Sequence, residues 1–283
     1  MIPSAFEYLA PESASEAVSL LCEDPEHTRV LGGGTWLVPD MNRGEATPRR
    51  VLDLRRAGIG GIDSVDGRLR LGATCTYGQL LDSELVAGVL GLMAAGITGG
   101  RQIVCQGTVG GSAGAARPQS DVPASLVALG AEVVILGPGG ERRISANELF
   151  VAAMRTSLGA REIIVEFELD AAPGGGSGYV KLKRGQSSWP IATAACRIWL
   201  DDDGRCSQVT LALGGVAEVP LLVDASGPLV GERPTEDLIA EAAALARDAV
   251  SEPWGDVLAP PEYRKAVAGP VARRAIEMAC AAA

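Results

Sequence analysis

Apolar and polar positions along the chain follow two periods, and each period predicts a different kind of element. Four capping residues, Ser13, Thr76, Ser145 and Thr235, precede helical patterns, and apolar stretches predict further helices at 85–97, 122–129 and 271–282. Short apolar or alternating runs bounded by turn residues predict strands, and these are 29–31, 51–54, 68–71, 131–136, 163–169, 179–183, 192–200 and 209–213. Helices and strands are mixed along the whole chain, so an α+β fold class is expected.

A glycine-rich run at 171–178, A-A-P-G-G-G-S-G, divides this pattern. Its composition is typical of a linker or a mobile loop. The strands that follow it are joined at 201–204 by D-D-D-G, which we interpret as a hairpin turn because the later ligands of a calcium loop are absent. Strands followed by two helices then predict a small α+β domain at the C-terminal end.

Two glycine-rich segments interrupt the elements before this linker, and each is a candidate for ligand binding. The first is G-G-G-T at 32–35, directly after a predicted strand, and the second is G-T-V-G-G-S-A-G-A-A-R-P-Q-S-D at 107–121. Glycine allows a backbone to approach a ligand closely, and successive N–H groups form a concavity that suits a diphosphate. Asp121 would then accept hydrogen bonds from sugar hydroxyls. A flexible surface turn is the alternative.

Other nucleotide-binding motifs are disfavoured by the spacing of these glycines. Neither segment matches G-x-G-x-x-G, and G-x-x-x-x-G-K-[ST] is absent. The sequence therefore argues against a Rossmann dinucleotide site and against a P-loop.

Composition and charge exclude several classes of function. The net charge of −10 argues against a nucleic-acid partner. No apolar run is long enough for a transmembrane segment, and the first residues do not resemble a secretory signal. The 36 glycines among 283 residues are about twice the usual share, which favours tight turns and contacts between backbone and ligand.

The reactive side chains are too few and too scattered for a catalytic or metal site in this chain. Six cysteines show no C-x-x-C spacing, and His27, the single histidine, lies in a polar connection where we expect it to be exposed to solvent. We therefore predict no metal ligand set and no nucleophile–base pair. Free thiols without a signal sequence are typical of a cytoplasmic protein.

A series of short motifs spans nearly the whole chain: F-x-Y-x-x-P at 6–11, L-G-G-G-T-W-L at 31–37, L-G-A-T-C-T at 71–76, the run from 101 to 121 with its T-V-G-G and P-Q-S-D, Y-V-K-L-K-R at 179–184 and L-G-G-V-A at 213–217. In this order they resemble the FAD-binding medium subunit of the molybdenum hydroxylases, the family of xanthine dehydrogenase and carbon monoxide dehydrogenase. The T-V-G-G and P-Q-S-D run is a specific match, and the ordered series of motifs is more specific still.

The resemblance implies a particular fold. It is a two-lobed FAD-binding domain of the vanillyl-alcohol-oxidase (PCMH-like) type, followed by a small α+β C-terminal domain of the CO-dehydrogenase flavoprotein type. We expect one FAD-binding subdomain at 1–60, a second at 61–172, and the C-terminal domain at 178–283, closing over the flavin.

The resemblance also implies which residues hold FAD. Backbone N–H groups for the diphosphate are implied in two segments, Leu31, Gly32, Gly33, Gly34, Thr35, Trp36 and Leu37, and Thr108, Gly110, Gly111, Ser112, Gly114 and Ala115. The hydroxyls of Thr35, Thr108 and Ser112 would add to them. Ser120 and Asp121 would face the ribityl chain or nearby polar groups, and Ile164 would pack beside the adenine or the flavin.

Lys181 and Tyr179 are implied to lie beside the flavin from the C-terminal domain. A cation from Lys181 at the isoalloxazine edge would favour the anionic reduced flavin. Plainer interpretations stay open: a surface lysine for Lys181, packing at the domain interface for Tyr179, and core packing for Trp36.

The chain departs from the family pattern at particular positions. Ser188 stands where the family commonly has an acidic residue seven positions after the lysine, so a Lys–Asp pair near the flavin is expected to be absent. Ser112 stands where Asn is frequent, and V-C-Q at 104–106 replaces R-N-x. These departures bear on individual contacts more than on FAD binding itself.

The function that the resemblance implies is electron transfer. A large partner subunit with a molybdenum–pterin centre oxidises the substrate, and a small partner subunit carries two [2Fe–2S] clusters. Electrons reach FAD in this chain and leave to NAD, a quinone or oxygen. A dimer of heterotrimers in the cytoplasm is expected, with membrane association only through an acceptor partner. The substrate and the acceptor stay open.

Two other functions remain to be weighed. A stand-alone FAD-dependent oxidase of the vanillyl-alcohol-oxidase fold would bind its own substrate, but such oxidases often attach flavin through His or Cys. A flavin-free scaffold subunit would have kept the fold alone. The two intact glycine segments and Asp121 argue against that scaffold.

Overall fold

The N-terminal lobe is a small parallel sheet with helical crossovers. In the computed structural model, which describes residues 2–170 and 174–283, its elements are β1 (Glu7–Leu9), α1 (Ala14–Glu23), β2 (Thr28–Leu31), α2 (Leu37–Arg43) and β3 (Arg50–Asp53). The strand order is β1-β3-β2, and both pairings are parallel. As predicted, Ser13 caps α1 by accepting a hydrogen bond from the backbone N–H of Glu16. The short strand β1 was not predicted.

The second lobe is built on a five-stranded antiparallel sheet. Its elements in chain order are β4 (Ile62–Val65), β5 (Arg68–Gly72), α3 (Tyr77–Asp82), α4 (Gly88–Ala95), α5 (Gly100–Gln106), α6 (Val109–Ala115), α7 (Asp121–Ala128), β6 (Glu132–Gly137), β7 (Gly140–Ser145), α8 (Ala146–Leu149), β8 (Phe150–Ala152), β9 (Arg155–Thr156) and β10 (Ile163–Asp170). The sheet order is β4-β5-β10-β6-β7, and β8 and β9 form a separate hairpin. Thr76 and Ser145 both cap helices as predicted, and in the structure each forms a complete capping box.

The C-terminal part is a second antiparallel sheet covered by helices. It contains β11 (Gly176–Lys183), β12 (Pro190–Leu200), β13 (Cys206–Gly214), β14 (Leu221–Val223), α9 (Ser226–Leu229), α10 (Glu236–Asp248) and α11 (Pro261–Ala281). The strands are in sequential order, and the predicted hairpin turn at 201–204 joins β12 to β13. Thr235 caps α10 as predicted.

The C-terminal sheet is buried on both faces, because an apolar core lies on each side of it. One core joins the two N-terminal lobes and includes Tyr179, Ala195 and Ala212 from the C-terminal sheet. The other lies between that sheet and its helices, with Ile198 and Ile276 as members. Strand β12 is therefore buried on both sides from Pro190 to Ile198 and shows no alternation.

The last three residues of the predicted linker belong to a strand. Residues 171–173 of the predicted linker lie outside the described part of the chain, whereas Gly176 and Gly178 belong to strand β11. A Cβ at Gly176 would lie 1.8 Å from the carbonyl oxygen of Ala279, and one at Gly178 would lie 2.0 Å from that of Ala275. Glycine at these positions permits close packing of β11 against α11, so the linker interpretation is wrong for 176–178.

Two helices differ in length from the sequence prediction. Helix α11 begins at Pro261, ten residues before the predicted start at 271, and Pro270 lies inside it. Helix α4 is shorter than the predicted 85–97, because it begins only at Gly88 and ends at Ala95. No helix in the described ranges combines the length and apolar character needed to cross a membrane.

Candidate cofactor-binding site

A cavity of about 260 Å³ lies between the two N-terminal lobes. Five parts of the chain line it. They are the end of β2 with the segment that follows it, the residue after β3, the two residues after β5, helix α6 with its cap, and the start of β10 with the residues before it. The lining residues are Val30, Leu31, Gly32, Gly33, Gly34, Thr35, Trp36, Leu37, Leu54, Ala73, Thr74, Thr108, Gly110, Gly111, Ser112, Gly114, Ala115, Leu158, Glu162, Ile163 and Ile164.

The first glycine segment offers a row of free backbone donors to this cavity. Within the described part of the chain, none of the N–H groups from Gly32 to Trp36 donates to a backbone or side-chain acceptor. Gly34 has a φ of +73°, in the left-handed region where glycine is favoured. Successive N–H groups in such a turn form an anion-binding concavity, so this segment fits a diphosphate group.

The two glycine segments cross each other at a distance that only glycine permits. A Cβ at Gly33 would lie 1.6 Å from the carbonyl oxygen of Gln106. A Cβ at Gly32 would lie 2.7 Å from Oγ1 of Thr108. The glycines therefore bring the two segments to one wall of the cavity.

Part of the second glycine segment, Val109–Ala115, is helical, although its composition predicted a loop. Thr108 caps α6 and accepts a hydrogen bond from the N–H of Gly111 at 3.0 Å. The N–H of Val109 donates to Cys75 O, that of Gly110 to Ala73 O, and that of Ser112 to Thr108 O. These N–H groups have partners inside the protein, so the expectation that they are free for a diphosphate is not met at the start of this helix.

Gly114 contributes to the cavity in a different way. It faces open space, because no heavy atom would lie within 4 Å of a Cβ at this position. It also lines the cavity together with Ala115. Small residues at this place leave the cavity wide enough for a ligand.

Three residues whose hydroxyl groups were expected at the cofactor line the cavity, and their hydroxyl groups differ in the hydrogen bonds that they make. Thr35 makes no side-chain hydrogen bond with the described residues, and Thr108 uses its oxygen as the helix cap. The hydroxyl of Ser112 lies 2.5 Å from that of Tyr77, a residue that sequence reasoning did not select. Both side chains of this pair are buried.

The opposite wall is apolar and ends at an ion pair. Ile164 lies in this wall as expected, beside Leu158 and Ile163, which were not predicted. Glu162 accepts hydrogen bonds from Arg142 at 2.7 and 2.8 Å. The Arg142 guanidinium lowers the pKa of the Glu162 carboxyl. An apolar wall of this kind suits an aromatic ring system.

Trp36 connects the cavity to the C-terminal sheet. Its ring centroid lies 4.6 Å from that of Trp189, which precedes β12, in an edge-to-face arrangement. The Arg117 guanidinium lies 4.5 Å from the Trp36 ring centroid and donates to Asp40 at 2.7 Å. Trp36 therefore lies in an aromatic contact at the cavity rather than in the core.

Asp121 forms a buried polar cluster with two residues of β11. The Tyr179 hydroxyl donates to Oδ1 of Asp121 at 2.5 Å, and the Lys181 ammonium lies 2.8 Å from Oδ2. Lys181 also donates to the carbonyl oxygen of Gly96 at 3.0 Å. Ser120 is buried beside this cluster, and its N–H donates to Arg117 O.

Burial dominates the electrostatics of this cluster. It raises the pKa of the Asp121 carboxyl, and the Lys181 ammonium and the Tyr179 hydroxyl offset part of that rise. Burial and the neighbouring Asp121 charge also raise the pKa of Tyr179. Asp121 is the first residue of α7, where the helix dipole favours a carboxylate.

One expectation about this cluster is corrected, and another stays a prediction. Both carboxylate oxygens of Asp121 bind side chains of the protein, and the predicted hydrogen bonds from sugar hydroxyls would add to these. Lys181 was expected to lack an acidic partner because of Ser188, but Asp121 supplies that partner across 60 positions of sequence. Lys181 is also not a surface residue, since its side chain is only 7% exposed.

The structure thus separates the expected cofactor residues into two groups. Those that line the cavity are Leu31, Gly32, Gly33, Gly34, Thr35, Trp36, Leu37, Thr108, Gly110, Gly111, Ser112, Gly114, Ala115 and Ile164. Ser120, Asp121, Tyr179 and Lys181 lie outside the lining, in the buried cluster. Ala73 and Thr74 were missed as lining residues although the L-G-A-T-C-T motif contains them, whereas Leu158 and Glu162 carry no local signal.

Comparison with known proteins identifies related chains over the full length. Residues 4–170 match the family described as the FAD binding domain in molybdopterin dehydrogenase, and residues 177–279 match the CO dehydrogenase flavoprotein C-terminal domain. The carbon monoxide dehydrogenase medium chain of Afipia carboxidovorans is 34% identical over 100% of this chain and 99% of its own length. That of Hydrogenophaga pseudoflava is 34% identical over 99% of both chains.

A solved structure agrees with these matches. A chain of the reconstituted CO dehydrogenase from Oligotropha carboxidovorans superposes with a TM-score of 0.95 at 34% identity, covering 100% of both chains. The similarity therefore includes the arrangement of all the lobes described above.

Proposed function

This chain belongs to the family of FAD-binding medium subunits of the molybdenum hydroxylases, and from that premise we propose that it carries FAD within a complex of the carbon monoxide dehydrogenase type. In that complex it passes electrons from [2Fe–2S] clusters of a small partner subunit to an external acceptor. Substrate oxidation takes place on a molybdenum–pterin centre in a large partner subunit.

One observation carries this proposal: the cavity between the two lobes offers free N–H groups on one side and an apolar wall on the other. A diphosphate needs the first feature, and the rings of a flavin dinucleotide need the second. The residues that hold the cofactor are then the fourteen predicted ones that line the cavity. FAD supplies the redox chemistry when it is bound, and the protein supplies binding, orientation and electrostatics.

The residues of this chain have distinct tasks in the proposal. The N–H groups from Gly32 to Trp36 bind the diphosphate, and Gly114 and Ala115 leave room for the chain of the cofactor. Lys181 and Asp121 form a buried ion pair outside the lining, and in this proposal their charges tune the bound flavin. Trp36 and Trp189 are in contact where the C-terminal domain, 178–283, meets the FAD-binding lobes, 1–60 and 61–172.

The partners are inferred from the same premise. Small iron–sulfur and large molybdenum subunits are proposed to form heterotrimers with this chain, and two heterotrimers to form the full assembly. The acceptor is NAD, a quinone or oxygen. We propose a cytoplasmic location for the complex. The substrate is determined by the large subunit, so this chain does not select it.

A stand-alone flavin oxidase is not favoured. The oxidases that attach flavin covalently often do so through His or Cys. Here His27 is exposed and hydrogen-bonded to Asp24 at 2.8 Å, in a connection between α1 and β2. Cys75 is buried, and burial raises its pKa to about 11, so it is a poor nucleophile.

The test is purification from the native operon context, followed by an absorption spectrum, metal analysis and separation of the subunits on a gel. We expect flavin bands, iron, molybdenum and two co-purifying chains. A lone flavin-containing chain that a small substrate reduces directly would contradict the proposal in favour of an oxidase. A protein without flavin would contradict it in favour of a scaffold.

A further inference from the structure

Tyr77 lies next to a residue of the cavity wall and is joined to it by a hydrogen bond between side chains. Its hydroxyl is 2.5 Å from Oγ of Ser112, and both residues are 4% exposed. Ser112 lines the cavity, whereas Tyr77 does not. Tyr77 can therefore act on a bound cofactor only through Ser112.

Packing holds the Tyr77 side chain in place. Its backbone N–H donates to the carbonyl oxygen of Gly107 at 3.2 Å. A Cβ at Gly107 would lie 2.6 Å from Cε2 of Tyr77, so the ring fills the space beside that glycine. The preceding residue, Thr76, forms a β-bridge with Thr108. The position of the hydroxyl relative to α6 is therefore determined by the surrounding backbone.

The direction of the hydrogen bond follows from the burial of Tyr77. Burial raises the pKa of the hydroxyl, so it stays protonated. Ser112 is the one side-chain partner of that hydroxyl among the described residues, and a buried donor left unpaired is costly. Tyr77 therefore donates to Ser112. A serine that accepts through a lone pair keeps its own hydrogen, and that hydrogen is free to donate into the cavity.

We propose that Tyr77 is a positioning residue that holds Ser112 as a permanent hydrogen-bond donor toward an acceptor oxygen of FAD. This inference rests on the proposed function. A serine hydroxyl rotates about its Cβ–Oγ bond and needs an orienting partner to donate in one direction. Tyr77 supplies that orientation here.

The experiment is a double-mutant cycle on FAD binding by the full chain. Flavin is removed from the wild type and from Tyr77→Phe, Ser112→Ala and the double variant, and FAD is added back while the quenching of its fluorescence is measured. Tyr263→Phe is the matched control, since this half-exposed residue on α11 lies outside the cavity. The thermal midpoint of each flavin-free variant is measured alongside.

Each single variant is expected to raise the Kd for FAD by about two- to tenfold. The double variant is expected to raise it no further, because the two hydroxyls act as one unit. An unchanged Kd in Tyr77→Phe, or effects that multiply in the double variant, would overturn the inference. A lower thermal midpoint with an unchanged Kd would show a purely structural role and would also overturn it. Failure of the wild type to bind FAD would instead overturn the proposed function.

Discussion

The Lys181 ammonium and the Asp121 carboxylate form an ion pair at 2.8 Å with both side chains less than a tenth exposed. The two residues come from β11 and from the start of α7, so the pair joins the C-terminal sheet to the FAD-binding lobes. Buried pairs of this kind contribute little net stability as a pair, but the loss of one partner leaves an uncompensated charge.

The variant Lys181→Met is therefore expected to destabilise the fold by about 3–5 kcal/mol. It should also lower the reduction potential of the bound flavin, because a negative charge without its cation disfavours reduction. Chemical denaturation and a redox titration measure the two effects. The double variant Lys181→Met/Asp121→Asn removes both charges and is expected to recover most of the loss in each measurement. If the double variant is as unstable as Lys181→Met, the unpaired Asp121 carboxylate is not the cause of the instability.

The crossing of the two glycine segments predicts a severe effect at Gly33. Its Cβ would lie 1.6 Å from the carbonyl oxygen of Gln106, which is backbone and cannot rotate away. We expect Gly33→Ala to cost about 2 kcal/mol or more and to weaken FAD binding, since the loop must shift. Gly139→Ala is the control, because no atom lies within 4 Å of a Cβ there. Equal thermal midpoints for the two variants would show that the crossing is not tight.

Gly114 predicts the opposite combination of effects. It lies in α6 with free space around its Cβ position and lines the cavity. Gly114→Leu is expected to leave the thermal midpoint of the flavin-free protein unchanged or raised, since leucine favours helix more than glycine does. The leucine side chain should fill the cavity and weaken FAD binding by about tenfold or more.

The same substitution in a helix away from the cavity provides the control. Gly227 in α9 also has no neighbour within 4 Å of its Cβ position. Gly227→Leu should bind FAD as the wild type does. Normal FAD content in Gly114→Leu would exclude the cavity as the cofactor site.

The Glu162–Arg142 pair predicts a pH dependence of stability. The Arg142 guanidinium lowers the pKa of Glu162 in the folded state, so the folded protein binds fewer protons there than the unfolded chain does. The stabilisation is complete above the unfolded-state pKa of about 4.3 and is lost as the pH falls through the lower folded-state pKa. For a partly exposed pair it amounts to about 1 kcal/mol or less.

Thermal midpoints of the wild type and Glu162→Gln between pH 7 and pH 3 measure this dependence. The wild type is expected to be more stable at pH 7, and the difference should shrink as the pH falls below about 4. A difference that is constant over this range would show that ionised Glu162 does not contribute through Arg142.

The sequence correctly predicted the helix caps, which depend only on residues close together in the chain. Ser13, Thr76, Ser145 and Thr235 all cap helices, because the capping oxygen reaches an N–H only two or three positions away. Six strands of the two antiparallel sheets, β5, β6, β10, β11, β12 and β13, were also predicted, although their ends moved by up to three residues, whereas β4, β7 and β14 were missed. Composition was misleading where glycine serves packing: Gly176 and Gly178 lie in a strand, and Gly110 and Gly111 lie in a helix.

Contacts between distant parts of the chain were outside the reach of the sequence. Tyr77 meets Ser112 across 35 positions, and Tyr179 meets Asp121 across 58. No spacing rule connects such residues, because their distance is decided by the way strands and helices pack. For the same reason Trp189 was missed as the neighbour of Trp36.

The sequence by itself determined the family, the order of the elements and the two glycine segments that meet at the cavity, since these depend on residue type and local spacing. The tertiary structure decided which groups in those segments are free. The N–H groups from Gly32 to Trp36 have no acceptor in the described part of the chain, while those from Val109 to Ser112 are held by α6 and by the residues after β5. It also decided that Asp121 is paired inside the protein. A hydrogen-bond donor or acceptor pairs with the group that lies within about 3 Å of it. The packing of the folded chain determines which group that is.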